Sequence, residues 1–275
     1  MSDFPRAAVI GNPISHSLSP KLHGYWLKRY GLDGSYTALE VSEDQLEETL
    51  SRLPKEGYVG ANVTLPHKVN VLGFADQITD RATLIGAANT LTFKSDGRIY
   101  ADNTDGYGFI ANLRQGAPHW DPKAGPAAVF GAGGAARAVV VALIDAGVPE
   151  IIVSNRTRPK SEALRADFGA RISVVDWVQA DMMLEEARTV VNTTSLGMKG
   201  AADFKVSLDL LRKDAVVTDI VYNPLMTPFL AAAERRGCTI VDGLGMLLHQ
   251  GVPGFERWFG QRPEVDEATR AAVLA

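Results

Sequence analysis

The 275-residue chain holds a single cysteine, Cys238, so neither a disulfide framework nor a cysteine-based zinc cage is open to it. Its five histidines, His16, His23, His67, His119 and His249, show no HExxH or other close ligand pairing, which argues against a metal centre. No apolar run approaches the roughly 20 residues a membrane span needs, and a long one, Ala135–Ile144, is broken by Arg137. The opening residues MSDFPRAAVIG carry no long apolar core, so no secretory signal is expected. There is no cationic excess either. With 28 Lys+Arg against 32 Asp+Glu the net charge is −4, and nucleic acid is a poor partner because phosphate binding needs a concentrated basic surface. What is present, 46% hydrophobic and 22% charged residues, is ordinary for a soluble globular protein and excludes a disordered chain. The expectation is a cytoplasmic enzyme for a small molecule, monomer or homodimer, with no membrane or nucleic-acid partner.

Short β-rich runs alternate with helical patterns, which predicts parallel sheets with crossover helices. Residues 7–11 read as a strand, and Ser19-Pro20 opens a helix as N-cap and first helical residue. Further strands are expected over 35–41 and 58–64, with a charged amphipathic helix over 43–52 between them. Pro66 is expected to begin a short helix. Residues 89–93 and 98–103 flank Ser95-Asp96-Gly97, the signature of a hairpin turn. The Pro- and Gly-rich stretch 115–125 has no periodicity and reads as a connector. Strands over 127–130, 151–155, 173–175, 190–193, 216–221 and 239–241 follow, with helices over 135–146, 159–168 and 244–259. The result is α/β throughout, in two domains: residues 1–110 and 111–242, with residues 243–275 returning to the first.

Val129-Phe130-Gly131-Ala132-Gly133-Gly134-Ala135-Ala136 ends a strand and opens a helix. Glycines in that setting allow a tight turn and close backbone approach to a pyrophosphate held on the helix N-terminus. The next strand selects the cofactor. An NAD site places an acidic residue about 20 residues on, to bind the ribose 2′-hydroxyl. Here Asn155-Arg156-Thr157-Arg158-Pro159-Lys160 contains no acid and three cations, which suits the 2′-phosphate of NADP.

Three polar clusters mark the first domain. Ser17 and Ser19 stand where hydroxyls and free N–H groups can hold an anionic oxygen group. In Asn62-Val63-Thr64-Leu65-Pro66-His67-Lys68, the expected helix puts Lys68 in a first turn, where the helix field favours the neutral amine. His67 beside it reads as a helix-start residue. In Asn103-Thr104-Asp105-Gly106, Asp105 is expected to end a strand, where ligand crevices form in open α/β sheets.

Gly11-Asn12-Pro13-Ile14, Ser17-Leu18-Ser19-Pro20, Asn62 to Lys68, Gly86-Ala87-Ala88-Asn89-Thr90 and Asn103 to Gly106 occur in an order that resembles the shikimate dehydrogenase family. So do the Gly131–Ala135 loop, Asn155-Arg156-Thr157, Thr194-Ser195-Leu196-Gly197-Met198 and Asp242 to Leu247 with Gln250. The resemblance spans residues 9–250. It implies a mainly parallel substrate-binding domain and a Rossmann-type NADP-binding domain, with a cleft between them and C-terminal helices packing back on the first. It also implies NADP-linked interconversion of 3-dehydroshikimate and shikimate, on the chorismate route to aromatic amino acids. Carried over residue by residue, Ser17 and Ser19 bind the substrate carboxylate, and Thr64, Asn89 and Gln250 its ring hydroxyls, with Tyr222 nearby. Lys68 is the acid/base and Asp105 its partner. Gly131, Ala132, Gly133, Gly134, Ala135, Asn155, Arg156, Thr157, Arg158 and Lys160 hold NADP, while Asp80, Ile220, Gly243 and Met246 line its nicotinamide end. Lys160 stands where the family often has arginine, and Gly24 where it commonly has asparagine. A quinate/shikimate dehydrogenase of broader specificity shares most of these residues and is the rival reading.

Overall fold

The computed structural model describes residues 4–275, and the chain divides into two compact units. The first comprises the described residues through Gly108 together with Leu247–Ala275; the second is Phe109–Met246.

In the first unit, β1 (Arg6–Gly11) leads through α1 (Ser19–Tyr30) to β2 (Ser35–Glu40), and then through α2 (Leu46–Arg52) to β3 (Tyr58–Val63). The short β4 (Gln77–Ile78) and α3 (Asp80–Ile85) precede the hairpin β5 (Thr90–Phe93) and β6 (Ile99–Asp102). The sheet order is β2-β1-β3-β5-β6-β4. β1 pairs parallel with both β2 and β3, whereas β5 runs antiparallel to β3 and β6. The hairpin turns where Asp-Gly predicts it, with Gly97 at φ 85°. α4 (Asp105–Gly116) begins in this unit, and the division between units falls inside it.

The second unit alternates strand and helix: β7 (Ala127–Phe130), α5 (Gly134–Ala146), β8 (Ile151–Ser154), α6 (Arg158–Phe168), β9 (Ile172–Val174), β10 (Thr189–Asn192), β11 (Val216–Asp219), α7 (Pro228–Arg235) and β12 (Thr239–Val241). All six strands are parallel, in the order β12-β11-β10-β7-β8-β9. The order reverses between β7 and β10, and ligands of open α/β sheets bind at the carboxyl ends of strands at such a reversal. Both faces of a sheet of this kind are covered, which is why β7 is AAVF and buried at every position.

The C-terminal helices α8 (Leu244–Phe259) and α9 (Glu267–Leu274) return to the first unit, as expected. Trp258 on α8 donates its indole N–H to Leu91 O at 2.9 Å. A Cβ on Gly60 of β3 would lie 1.9 Å from that nitrogen, so glycine is what lets the helix lie down on the sheet. α9 is tied to α1 by Arg29, whose guanidinium bonds Asp266 at 2.9 Å.

Three expectations fail. The connector is shorter than its composition implies, because α4 runs on to Gly116. The helix expected over 43–52 opens as a 3-10 stretch, Glu43–Gln45, before α2. No helix starts at Pro66: residues 65–69 are turns, and helical structure begins only with the 3-10 stretch Asn70–Phe74. The reason lies in the hydrogen bonds. The Lys68 carbonyl accepts from Ala88 N–H at 2.8 Å, which takes it out of any helical ladder. Among the described residues no helix is long and apolar enough to cross a membrane.

Candidate active site

Past the carboxyl ends of β3 and β6, the first unit assembles a charged group from four separate segments. Lys68 Nζ lies 2.6 Å from Asp105 Oδ2, with the two side chains 22% and 9% exposed. Asn89 Nδ2 donates to the other carboxylate oxygen, Asp105 Oδ1, at 2.8 Å and to Gln250 Oε1 at 3.2 Å. The orientation of Asn89 is fixed from behind, because its oxygen accepts from Thr104 N–H at 2.8 Å and Thr90 O–H at 2.9 Å. Thr104 Oγ1 also donates to the backbone carbonyl of Gln250 at 2.9 Å, which ties α8 to this group. A short ammonium–carboxylate bond with so little exposure leaves the ammonium positioned while one edge stays open to solvent.

Two sequence expectations about this pair change. Asp105 does not end a strand; β6 stops at Asp102, and Asp105 is the first residue of α4. Its carboxylate therefore sits at the positive end of a helix dipole. Lys68 lies in a turn rather than a helix, so the helix-field argument does not apply to it; its partner is the carboxylate. His67 is no helix-start residue either: it is fully buried, and Nε2 donates to Val41 O at 2.6 Å.

Ser17 and Ser19 stand at the start of α1, Ser17 half-buried and Ser19 buried. The cap differs from expectation. Ser19 is already helical, and its N–H donates to Ser17 Oγ at 3.3 Å. Thr64 follows β3, half-buried, its N–H bonded to Ile10 O at 3.0 Å. Tyr222 belongs to the second unit, in the loop after β11, where burial pushes its phenol above the ordinary range.

In the second unit, the turn after β7 sits at the strand-order reversal. Gly131 has φ 111°, and a Cβ there would meet Thr193 Oγ1 at 2.4 Å. A Cβ on Gly133 or Gly134 would meet nothing within 4 Å. No side chain caps α5, so its first N–H groups face that open space, a cradle that fits a pyrophosphate. Asn155 Nδ2 donates to Thr157 O at 2.9 Å and shapes the basic turn. Arg156 and Lys160 are exposed, whereas Arg158 is held by Glu162 at 2.9 Å and Asp176 at 2.6 Å. Ala132 lies in the same turn, Ala135 is the second residue of α5, and Thr157 precedes α6. Ile220, Gly243 and Met246 also belong to this unit, Gly243 and Met246 buried. Asp80 does not: it opens α3 in the first unit, exposed. Among the described residues no group of three or more His, Cys, Asp or Glu is placed to hold a metal ion.

Sequence reasoning missed the framework residues. Asn62, Thr90 and Thr104 each lie inside a quoted motif but carry no chemistry of their own, so only their bonds reveal them.

Residues 9–91 match the model of the shikimate dehydrogenase substrate binding domain, 121–200 that of shikimate / quinate 5-dehydrogenase, and 243–274 that of the shikimate 5′-dehydrogenase C-terminal domain. The chain is 66% identical to the shikimate dehydrogenase (NADP(+)) of Cereibacter sphaeroides, over 99% of this chain and 98% of that one. Among solved structures it resembles shikimate 5-dehydrogenase from Thermus thermophilus in complex with NADP(H) and shikimate, at 38% identity and a TM-score of 0.87, covering 97% and 99% of the two chains. It also resembles quinate dehydrogenase from Corynebacterium glutamicum in complex with NAD, at 29% identity and a TM-score of 0.91, covering 99% of each.

Proposed function

The chain belongs to the shikimate dehydrogenase family, and from that premise we propose how its residues divide the work of interconverting 3-dehydroshikimate and shikimate with NADP. The reaction is a reversible oxidation of a CH–OH group, and NADP supplies or accepts the hydride when bound. Reducing the ketone leaves charge on its oxygen, which needs a proton as it develops. Lys68 delivers that proton as an ammonium, and takes it back as an amine in the reverse direction. Asp105 holds the ammonium through Oδ2, while Asn89 keeps Oδ1 occupied so that the carboxylate cannot turn away. Ser17 and Ser19 bind the substrate carboxylate, and Thr64, Asn89 and Gln250 its ring hydroxyls.

On the second unit, Gly131–Ala135 hold the pyrophosphate with backbone N–H groups. Arg156 and Lys160, with Asn155 and Thr157, hold the 2′-phosphate, and Ile220, Gly243 and Met246 flank the nicotinamide. The absence of any acid between Asn155 and Lys160 favours NADP over NAD and separates this reading from an NAD-linked quinate enzyme. The acidic charge balance and lone buried cysteine support a cytoplasmic enzyme working on a small molecule.

The single observation that carries the assignment is the 2.6 Å contact of Lys68 with Asp105. Lys68→Ala should lower kcat in both directions by about 10²–10⁴-fold, the range for a positioned acid/base. NADP affinity, read by fluorescence titration, should stay within about twofold of the parent, since Lys68 belongs to the substrate side. Near-parental turnover would remove Lys68 from the role. Rates with shikimate or quinate, each paired with NADP or NAD, test the substrate and cofactor together: shikimate with NADP should be fastest.

A further inference from the structure

The motif Thr194-Ser195-Leu196-Gly197-Met198 has taken no part so far, and its start is anchored by a buried polar pair. β10 ends at Asn192, which is fully buried, and both polar atoms of its side chain are bonded twice. Oδ1 accepts from Thr194 N–H at 3.0 Å and from the Thr194 hydroxyl at 2.7 Å. Nδ2 donates to Leu196 O at 3.2 Å and to Asp219 Oδ1 at 3.0 Å. A backbone N–H only donates and a carbonyl only accepts, so Thr194 and Leu196 fix which end of the amide faces Asp219.

Asp219 is the second member of the pair. Its Oδ1 also accepts from Val221 N–H at 3.0 Å, and its Oδ2 from the Thr227 hydroxyl at 2.8 Å. One carboxylate oxygen thus joins the loop after β10 to the loop after β11. Both loops lean on glycines given to the cofactor above. Thr193 donates its N–H and its hydroxyl to Phe130 O, directly before Gly131, at 2.8 and 2.7 Å. A Cβ on Gly131 would run into Thr193 Oγ1, and one on Gly243 into the carbonyls of Ile220 and Val221.

A carboxylate is a costly choice for this place. It is wholly buried, its three donors are neutral, and burial pushes it up to about 6. What it offers is two acceptor oxygens and, when ionised, no proton of its own to place, which matches three donors. A side chain that costs stability beside a ligand site is the mark of a functional constraint.

We propose that Asp219, with Asn192, is a positioning residue for the cofactor site, its Oδ1 holding the loops after β10 and β11 where they buttress Gly131 and Gly243. This rests on the reading that those glycines belong to the NADP site, and the test separates the two. Asp219→Ala deletes the shared acceptor. It should raise the Kd of NADP about tenfold by fluorescence titration, while KM for shikimate stays within about twofold. Asp219→Asn keeps an oxygen for Asn192 and Val221 and turns its amide nitrogen toward Thr227, the cap of α7. It should hold the Kd within about threefold of the parent, a rescue by the conservative variant.

Equal losses in Asp219→Ala and Asp219→Asn would overturn the proposal, because the charge and not the shared oxygen would then matter. A shikimate KM that rises as much as the NADP Kd would overturn it too, reducing Asp219 to general packing. Gly131→Ala checks the premise. If it weakens NADP while Asp219→Ala does not, the proposal falls alone; if neither weakens NADP, it falls with its premise. Should Asp219→Ala not fold, Thr194→Val removes the hydroxyl that bonds Asn192 and receives Leu196 N–H. That change should raise the Kd at least about threefold, and an unaltered Kd would overturn the proposal.

Discussion

Each unit buries an aspartate completely at the carboxyl end of a strand, and the two are held in opposite ways. Asp102, at the end of β6, accepts from Arg81 at 2.5 and 2.6 Å, Arg257 at 2.5 Å, Thr79 and the Asn103 N–H. Burial alone would raise its pKa, but the two guanidinium groups win and hold the carboxyl far below the usual range. Asp219, at the end of β11, accepts from Asn192, Val221 N–H and Thr227, all neutral, at 2.8–3.0 Å. There burial wins, and the carboxyl is pushed up to about 6. Neutral hydrogen bonds, however good, do not replace a counter-charge in a low-dielectric site. The same contrast runs through the two proposed ligand sites: the first unit brings together paired side-chain charges, the second presents backbone N–H groups and a turn of glycines.

Acid should therefore act on the two units with opposite sign. The folded form of Asp102 titrates lower than the unfolded form, so its stabilisation is present at neutral pH and is lost as pH falls below about 4. Asp102→Asn should cost about 3 kcal/mol at pH 7, the low end for breaking a buried pair because both arginines touch solvent. That deficit should shrink on acidification. Asp219 titrates higher when folded, so its charge costs stability progressively as pH rises from about 4 to 6. The rise from 3.8 to about 6 corresponds to about 3 kcal/mol above that window. Asp219→Asn forfeits about 1 kcal/mol of hydrogen bonding, so it should gain about 2 kcal/mol net at pH 7.5 and lose about 1 kcal/mol at pH 4. Urea unfolding of the three proteins across pH 2–8 reads both slopes; parallel curves for the two variants would erase the contrast.

A glycine change sharpens the same comparison on the ligand side. Gly131→Ala puts a Cβ 2.4 Å from Thr193 Oγ1 at φ 111°, so the turn must shift. NADP affinity should fall about tenfold, about 1.4 kcal/mol, while shikimate binding in the first unit stays within twofold. Equal losses for both ligands, measured by calorimetry, would show that the turn is not a local cofactor device.

How legible this was in the sequence differs by unit for a physical reason. The second unit repeats one local rule, strand then turn then helix, and Gly131 and the Asn155–Lys160 turn announce themselves within a few residues. In the first unit the decisive bonds are long-range. Lys68 and Asp105 are 37 residues apart, and Asn89 reaches Gln250 across 161. Their identity could be read from the motifs but not their bonding, and local reasoning misplaced both members of the pair. Proline at 66 suggested a helix start, yet a carbonyl bond to Ala88 decides the backbone there. Asn103-Thr104-Asp105-Gly106 reads as the end of a strand at Asp105, yet Asp105 opens α4. Tyr36 and Asn62 read as ordinary strand residues, because nothing local marks the hydrogen bond between them across a neighbouring strand.

The remaining contrast concerns the basic turn, where the sequence offers three cations for one phosphate. Arg158 already meets Glu162 at 2.9 Å and Asp176 at 2.6 Å, two carboxylates for one guanidinium, so little positive field is left there for a 2′-phosphate. Arg156 and Lys160 are exposed with no carboxylate within ion-pair distance among the described residues. A hydrogen bond to a charged group contributes about 1.5–3 kcal/mol, so Arg156→Ala or Lys160→Ala should each lower the NADP-over-NAD ratio of kcat/KM about tenfold or more. Arg158→Ala should leave that ratio within about twofold, the scale of an exposed ion pair. If Arg158→Ala instead matches Lys160→Ala, the two carboxylates release Arg158 on binding, and the second unit would use paired charges as the first one does.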